Sequence, residues 1–253
     1  EMCIRDSPLT GLGESLWDLA QRLGVPLKAV LLTGYLRVIG LFANQHDVVV
    51  GAVVNGRPEE VGGEQVLGLF LNSLPVRLEL AAGASWAALI QAAAAAEEAQ
   101  FAHRRFPLAE IQRDFGGAVF EALFNYTHFH VYQALDGLDD AAILGQQWFE
   151  QTNFTLSCNA LIKPSTGELG LYLVSDTGVL GADQVAHIGR CYGMILGLMA
   201  ADVQAPHDRD PILTPEDSRL LREFGSGGEA SAAYRPLAER FAEQAMRRPD
   251  APA

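Results

Sequence analysis

The sequence predicts a domain of the α/β (α+β) class, because helix patterns and strand patterns take turns along the chain. Apolar residues recur at helical spacing over residues 14–23 and again over 27–42. A valine-rich run follows at 47–54, and apolar and polar residues alternate over 153–162. With 253 residues, of which 49% are hydrophobic and 19% charged, the chain has the composition of an ordinary globular protein.

The first two predicted helices carry clear stop and start signals. Gly24 ends the first helix, and Pro26 opens the second one at its first turn. The second helix is apolar almost all round, so we expect the rest of the domain to cover most of its surface. The run 47–54 is predicted to be a strand buried on both faces, because it is apolar without alternation.

The middle of the chain predicts a second strand at 69–80, two helices and a return to strand at 119–129. Ser85 is a natural N-cap for a helix that continues to about His103, and Pro107 opens a short helix that ends at Phe115. Asn72 is the anomaly of the 69–80 strand, because an amide in an otherwise apolar strand is costly to bury unless it is hydrogen-bonded.

The pattern of the last third of the chain predicts a hairpin and a long helix, followed by a segment that lies outside the domain. The alternation over 153–162 indicates a strand with one packed face and one polar face. Turn residues at 164–167 and alternating leucines beyond them predict the hairpin, and apolar residues at helical spacing over 185–199 predict the long helix. Thr214 and Pro215 begin a short helix, a Gly-Ser-rich break follows at 225–228, and Pro236 starts another helix.

The charge pattern argues against two classes of partner. Eighteen basic residues against 31 acidic ones give a net charge of −13, which repels nucleic acid and anionic lipid surfaces. Arg37 interrupts the longest apolar stretch, at 29–42, so no membrane-spanning segment is predicted. We therefore expect neither a nucleic-acid partner nor a membrane.

The cysteines and the first residues bear on the cellular compartment. Cys3, Cys158 and Cys191 make an odd count without close spacing, which predicts neither a disulfide framework nor a CxxC site. A reducing cytoplasm fits this pattern best. Residues 1–8 lack the pattern of a signal peptide and join no periodic pattern, so they are expected to be a non-native or unstructured leader.

Several motifs follow one another in a specific order. They are DVVVG at 47–51, NGR at 55–57, GLFLNSLPVR at 68–77, HRRFPL at 103–108, FEALFNY at 120–126 and PILTPE at 211–216. In this order they resemble the second half of the condensation domains of nonribosomal peptide synthetases. The last residues, PLAERFAEQAMRRPDAPA at 236–253, resemble the opening of an adenylation domain. The likeness covers about residues 9–253.

This resemblance implies a division of the chain. Residues 9–212 would form the C-terminal lobe of a condensation domain, residues 213–231 an interdomain linker with a short helix, and residues 232–253 the truncated start of an adenylation domain. The lobe would have the chloramphenicol-acetyltransferase-like fold, a mixed sheet flanked by helices, and would be one of the two lobes that form such a domain.

The resemblance also implies an activity. Condensation domains join a carrier-bound acyl or peptidyl donor to an aminoacyl acceptor, and both substrates travel as phosphopantetheine thioesters on carrier domains. The two phosphopantetheine arms meet in a tunnel between the two lobes. The family's catalytic HHxxxDG motif belongs to the other lobe and is not found in this sequence, so this chain supplies no catalytic residue and is expected to be inactive alone.

One pair of histidines partly resembles the HHxxxDG motif. His128 and His130, with Asp136 and Gly137 after them, have the wrong spacing, because the histidines are not adjacent. On a strand the two histidines would share a face, yet no third ligand at a recognisable spacing accompanies them. We expect no metal site here and favour a structural or tunnel-facing role.

The resemblance assigns candidate site residues, each with a plainer alternative. Asn72 could contribute an amide to the tunnel or bond to backbone within the lobe. The tunnel candidates also include Phe70, for which a plain core position is the favoured alternative, and polar residues that could instead face water. Arg57 and Arg77 are candidates for the interface between the lobes, or for exposure to solvent. The polar tunnel candidates are Asn55, Thr152, Asn153 and Ser157, with Thr155 in the same row.

Three rival functions remain open at this point. A heterocyclization or starter-type condensation domain shares the fold and can also precede an adenylation domain. A degenerate domain that only docks carriers belongs to a different class, that of non-catalytic platforms. A free-standing acyltransferase that uses coenzyme A is disfavoured, because an adenylation-like segment and a Gly-Ser linker follow the domain. The residues upstream in the parent gene would separate the first two.

Overall fold

The computed structural model describes residues 2–8, 11–127, 152–162, 169–227 and 236–249. The chain divides into two compact units, Glu1–Ile212 and Leu213–Ala253. The candidate site lies in the first unit, so the fold of that unit comes first.

The first unit begins with two helices whose boundaries follow the predicted signals. Helix α1 spans Leu12–Leu23 and ends at Gly24, which has a left-handed φ of 67° that glycine adopts without strain. Helix α2 spans Leu27–Ala43, and most of its side chains are buried, as its all-round apolar sequence predicts. Tyr35 in this helix is fully buried and donates its hydroxyl to Leu156 O, and burial raises its pKa well above the usual value.

The strands of the described residues form one six-stranded sheet in the order β1-β6-β5-β4-β2-β3. Strands β2, β4 and β5 run parallel, whereas β3 pairs antiparallel with β2 and β6 pairs antiparallel with β5. This is the mixed sheet that the resemblance implies. The strands are β1 (Met2–Pro8), β2 (Asp47–Asn55), β3 (Leu71–Glu79), β4 (Ala122–Thr127), β5 (Leu156–Ile162) and β6 (Leu169–Asp176).

The remaining helices of the first unit complete the core. They are α3 (Trp86–Phe101), α4 (Leu108–Phe115) and α5 (Ala182–Ala201). Ser85 caps α3 by accepting a hydrogen bond from Ala88 N, which confirms the predicted start. The buried faces of α1, α2, α3 and α5 share one hydrophobic core with one face of the sheet. Tyr192 of α5 is fully buried there and donates its hydroxyl to Leu31 O.

The parallel strands bring distant parts of the sequence to one edge of the sheet. Because the carboxyl ends of parallel strands meet at the same edge, the residues at the ends of β2 and β4 lie near each other. Asn55 closes β2, and Tyr126 stands one residue before the end of β4. This edge carries the candidate site.

The prediction that residues 47–54 form a strand buried on both faces was wrong in part. The strand exists, and Val48, Val50 and Ala52 are buried against the helices. Val49, Val53 and Val54 are only half-buried. A valine-rich run is therefore compatible with a strand that is well covered on one side only.

The prediction for residues 1–8 also needs correction. Met2–Pro8 form the edge strand β1, which pairs antiparallel with β6 from Met2 opposite Asp176 to Pro8 opposite Gly170. An open sheet edge presents backbone donors and acceptors that any extended segment can satisfy. Pairing of this kind needs no periodic side-chain pattern, so the sequence pattern did not predict it. That these residues are foreign to the natural protein stays a prediction.

The second unit contains two helices in its described part, α6 (Pro215–Gly225) and α7 (Leu237–Arg247). Thr214 and Asp217 form a reciprocal capping box at the start of α6, as the Thr-Pro signal predicts. Leu237, Phe241 and Met246 of α7 are largely exposed. The assignment of residues 213–231 to a linker and of 232–253 to the start of an adenylation domain stays a prediction.

Within the described residues, no single helix has both the length and the apolar character needed to cross a membrane. The pair α1 and α2 passes that test only when both are taken together, and it is bent by 108°.

Candidate functional site

A cleft of about 470 Å³ opens where β2 and β4 end. Its volume lies in the range of small-molecule sites. Two of the predicted site residues, Asn55 and Arg57, line it. The other lining residues come from the start of α2, the end of β2, the loop after it, the end of α3 and the end of β4; they are Lys28, Val53, Val54, Pro58, Glu59, Phe101, Arg104 and Tyr126.

Asn55 and Arg57 shape the wall of this cleft. The Asn55 side-chain oxygen accepts a hydrogen bond from Arg57 N at 2.9 Å, which turns the chain sharply after β2. The Arg57 guanidinium then reaches along the following loop and donates to Gly63 O at 3.1 Å and Val66 O at 2.7 Å. Arg57 therefore organises a loop of its own lobe. An additional contact to another lobe stays a prediction.

Phe70 lies beneath that guanidinium. The centre of the Arg57 guanidinium stands 4.5 Å from the Phe70 ring centroid, a cation–π contact. Phe70 is half-buried, and its carbonyl accepts a hydrogen bond from Gly56 N at 2.7 Å. Phe70 thus supports the wall of the cleft through Arg57, and its predicted place in a tunnel remains a prediction.

Two cations of the cleft are held in ion pairs. Lys28 Nζ lies 2.7 Å from Glu97 Oε1, with both side chains mostly buried, and also donates to Val53 O. Arg104 pairs with Glu59 at 3.1 Å and stacks over Phe101 at 4.0 Å. The lining of the cleft therefore carries three cations, Lys28, Arg57 and Arg104, and one carboxylate, Glu59. Even with Glu97 counted beside Lys28, this leaves an excess of positive charge in a chain that is acidic as a whole.

Tyr126 contributes a phenol to the cleft. The side chain is half-buried, and this burial raises its pKa above the usual value for tyrosine. The hydroxyl therefore stays protonated at neutral pH and can donate a hydrogen bond. The motif FEALFNY contains this residue, but its tyrosine gave no signal by itself.

Asn72 is held by backbone groups of its own lobe. Its Nδ2 donates to Arg104 O at 3.1 Å and to Phe106 O at 2.6 Å. Arg105 Nε donates to Gly56 O at 2.9 Å, so two side chains join the turn after α3 to the β2–β3 region. Of the two alternatives, backbone partners within the lobe are the ones that the structure shows. A tunnel role for Asn72 remains a prediction.

The predicted polar row at 152–157 is not one face of a strand. Strand β5 begins at Leu156, so Thr152 and Asn153 precede it. Thr152 Oγ1 accepts from Phe154 N at 3.2 Å, and Asn153 is exposed. Ser157 is buried, and its hydroxyl has no hydrogen-bond partner among the described residues. Thr152, Asn153 and Ser157 are not among the residues that line the cleft described above.

Arg77 lies on the surface, away from the cleft. It forms a bidentate ion pair with Asp47, in which Nε lies 2.8 Å from Oδ1 and Nη2 lies 2.7 Å from Oδ2. The hydrogen bond from Arg77 lowers the pKa of Asp47. The two side chains are 73% and 52% exposed, so the pair remains accessible to a further partner.

Sequence reasoning missed most of the cleft residues, among them the polar residues Lys28, Arg104 and Tyr126. Lys28 lies on a helix whose pattern predicted only a core role, and Arg104 and Tyr126 fall inside recognised motifs without being singled out. A charged residue near the start of a nearly all-apolar helix, as Lys28 is, was the one available signal. His128 and His130 lie outside the described residues.

The comparisons with known proteins agree with this architecture. The condensation domain family matches residues 10–215. AMB antimetabolite synthetase AmbE of Pseudomonas aeruginosa is 41% identical over 143 residues, which is 55% of this chain and 6% of that protein. Tyrocidine synthase 3 of Brevibacillus parabrevis is 27% identical over 257 residues, which is 96% of this chain and 4% of that protein. The chain therefore spans a small part of the curated relatives that it matches.

Solved structures show the same fold. The first condensation domain of the CDA synthetase superposes with a TM-score of 0.66 at 21% identity, over 85% of this chain and 48% of that one. A holo four-domain nonribosomal peptide synthetase bound to AMP and glycine superposes with a TM-score of 0.76 at 16% identity, over 100% of this chain and 20% of that one. The family match over residues 10–215 covers most of the chain. The chain therefore belongs to the condensation-domain family of the nonribosomal peptide synthetases.

Proposed function

We propose that this chain is the C-terminal lobe of a condensation domain that forms an amide bond between a carrier-bound acyl or peptidyl donor and an aminoacyl acceptor. The observation that carries the proposal is the cleft at the carboxyl edge of the sheet, which Asn55 and Arg57 of the NGR motif line. The chain spans 48% of the CDA synthetase condensation domain that it resembles, which is the share expected of one lobe out of two.

The proposed reaction needs positioning and proton transfer. The acceptor amine attacks the donor thioester carbonyl, a C–N bond forms and the C–S bond breaks. The amine loses a proton, and the donor's phosphopantetheine sulfur leaves as the thiol after it takes up a proton. In the family that this chain resembles, the second histidine of HHxxxDG takes the amine proton, and the sequence contains no such motif. In this proposal the residue that takes the proton lies in the other lobe. We therefore expect the chain alone to be inactive.

The cleft suits a phosphopantetheine arm, which supplies the thioester that carries the acyl group. The arm has two amides and a phosphate, and it needs hydrogen-bonding groups beside apolar walls. Arg57, Asn55 and Tyr126 offer a cation, an amide and a phenol, and Val53 and Phe101 offer apolar surface. In this proposal these residues hold the arm and orient it, and Arg57 faces its negative charge.

The proposed partners follow from the same assignment. They are peptidyl carrier domains, the other condensation lobe and a downstream adenylation domain in the same polypeptide, at a cytoplasmic location. The likeness of the whole chain to a four-domain synthetase supports carrier and adenylation neighbours. The resemblance of residues 236–253 to an adenylation opening supports the order of domains.

The test restores the upstream coding sequence and assays the intact domain. Donor and acceptor carriers are loaded with thioesters, and amide formation is followed by mass spectrometry. We expect product from the intact domain and none from this chain alone. The Arg57→Gln variant should lower the rate at least about tenfold, and the matched Arg113→Gln variant on the exposed face of α4 should not.

Binding of both carriers without any amide product would contradict the proposal and would favour a docking platform. A thiazoline or oxazoline product in place of the amide would identify a heterocyclization domain. Both outcomes are read from the same assay of the intact domain, so one preparation distinguishes the docking platform from the heterocyclization domain.

A further inference from the structure

Residues 61–71 expose an unusual amount of apolar surface, and we call them the 61–71 segment. Large apolar side chains in a soluble protein are normally scattered singly. Here five of them occur within eleven successive positions. Their exposed fractions are 108% for Val61, 45% for Val66, 97% for Leu67, 89% for Leu69 and 62% for Leu71.

The backbone of the 61–71 segment is held in place. Arg57 donates hydrogen bonds to Gly63 O and Val66 O, and its guanidinium lies over Phe70. Gly56 N donates to Phe70 O, which continues the β2–β3 pairing beyond the strand ends. The apolar side chains are thus carried by a backbone that is bonded at Gly63, Val66 and Phe70.

The position of the segment favours a partner that packs against its side chains over a partner that adds a strand to the sheet. Strand β3 is the last strand at its side of the described sheet, and an open edge can recruit another strand. Pro75 in the middle of β3 has no N–H to donate, and Gln100 of α3 donates to the Pro75 carbonyl. The β3 edge is therefore poorly suited to pair with another strand, whereas the leucines beside it are exposed and can be covered by a partner.

The segment adjoins the candidate cleft. Arg57 lines the cleft and also supports the segment, so a partner that covers the leucines would border the cleft as well. Glu59 and Glu60 come just before the segment, and the whole chain has a net charge of −13. Two copies of this chain would bring like charges together, which disfavours self-association through this surface.

We propose that the 61–71 segment is the docking surface for the other lobe of the two-lobed domain. This inference rests on the proposed function, because it takes the chain to be one lobe. An equally large part of the matched condensation domain lies outside the region that this chain covers, since the coverage is 48%. We expect the partner surface to be apolar, with a basic residue facing Glu60.

The test measures whether the leucines become covered. Single Leu67→Cys and Leu69→Cys variants are made both in this chain and in the intact domain with its upstream lobe, and the rate of maleimide labelling is measured. We expect labelling to be at least about tenfold slower in the intact domain. Val179, which is 60% exposed in the turn after β6, supplies the control variant Val179→Cys, and its rate should be the same in both proteins.

Equal labelling rates at 67 and 69 in the two proteins would overturn the inference. Labelling of the chain alone that slows as its concentration rises would also overturn it, because a second copy would then be the occupant. Backbone hydrogen exchange of the unmodified protein provides a second reading, with slower exchange over residues 61–71 expected in the intact domain. Amide formation by the unmodified intact domain tests the proposed function separately, so protection without product and product without protection are distinct results.

Discussion

Arg37 Nε donates a hydrogen bond to His207 Nδ1 over 3.1 Å. This bond fixes the state of the imidazole, because Nδ1 must offer a lone pair and Nε2 must then carry the proton. Nε2 lies 3.1 Å from Ala81 O and donates a hydrogen bond to it. A buried, neutral histidine thus joins helix α2 to the segment after β3.

The segment around His207 is attached to the start of α3 by several bonds. His207 N donates to Ala84 O at 2.9 Å, and Trp86 N donates to Ala205 O at 3.1 Å. Asp208 Oδ2 accepts from Gly83 N at 2.9 Å. The residues that follow α5 are therefore fastened to the core immediately before the first unit ends at Ile212.

The first prediction concerns pH. Burial lowers the pKa of His207, and the positive charges of Arg37 and His46 lower it further, against the raising effects of the Ala81 carbonyl and Asp208. The unfolded chain therefore binds the His207 proton more readily than the folded chain does. Stability should be complete above the unfolded pKa of about 6.5 and should fall as the pH drops through that value towards the lower folded pKa.

The measurement is chemical unfolding at several pH values between neutral and mildly acidic. A His207→Gln variant keeps an acceptor and a donor but cannot titrate, so its stability should depend less on pH in this range. A His103→Gln variant, at an exposed position, should keep the pH dependence of the natural chain. An unchanged slope for His207→Gln would contradict the prediction.

The second prediction concerns Asn72. Its amide makes two hydrogen bonds to backbone carbonyls of the turn after α3, at Arg104 and Phe106. An Asn72→Ala variant should lose about 1–3 kcal/mol of unfolding free energy, because these bonds are removed and the carbonyls lose their donor. Guanidinium unfolding measures the change, and Asn153→Ala, at an exposed position, is the neutral control. Equal stability of the two variants would mean that the turn does not depend on Asn72.

The third prediction concerns the thiols. Cys158 and Cys191 are both buried, and burial raises the pKa of the Cys158 thiol well above its usual value. The thiolate is the reactive form, so neither residue should react with iodoacetamide in the folded chain. Both should react in concentrated guanidinium chloride, as read by peptide mass spectrometry. Rapid alkylation of Cys158 under native conditions would show that the core around β5 opens.

The sequence predicted the element order well because local signals agreed with tertiary packing. Gly24, Ser85 and the Thr214–Pro215 pair mark helix ends by the geometry that each residue favours, and the structure has helix ends at all three. The strands were harder to delimit. The 69–80 strand begins only at Leu71, since strand ends depend on a partner strand that no local pattern reveals.

The candidate site was predicted less completely, and the reason is spatial. Asn55 and Arg57 belong to one motif, so their neighbourhood was visible in sequence. Lys28, Phe101 and Tyr126 reach the same cleft from α2, α3 and β4, and the parallel arrangement of β2 and β4 helps to bring them together. The role of Arg57 towards Gly63 and Val66 depends on the path of a loop, which composition does not determine.

The last prediction concerns Gly51, where the structure gives a reason for glycine in a valine-rich strand. A Cβ at this position would overlap the Phe120 ring, which is stacked on Phe154 at 5.4 Å. A Gly51→Ala variant should therefore lose about 1–3 kcal/mol of unfolding free energy, as overpacked cores do.

Two further variants make this prediction specific. Gly197→Ala is the matched control, because a Cβ on this helical residue meets no atom within 4 Å and should be neutral or stabilising. A Phe120→Ala change removes the ring that obstructs the new methyl group. The Gly51→Ala/Phe120→Ala double variant should therefore lose less unfolding free energy than the sum of the two single losses. Additive costs would mean that the strand, and not the ring, rejects a side chain at position 51.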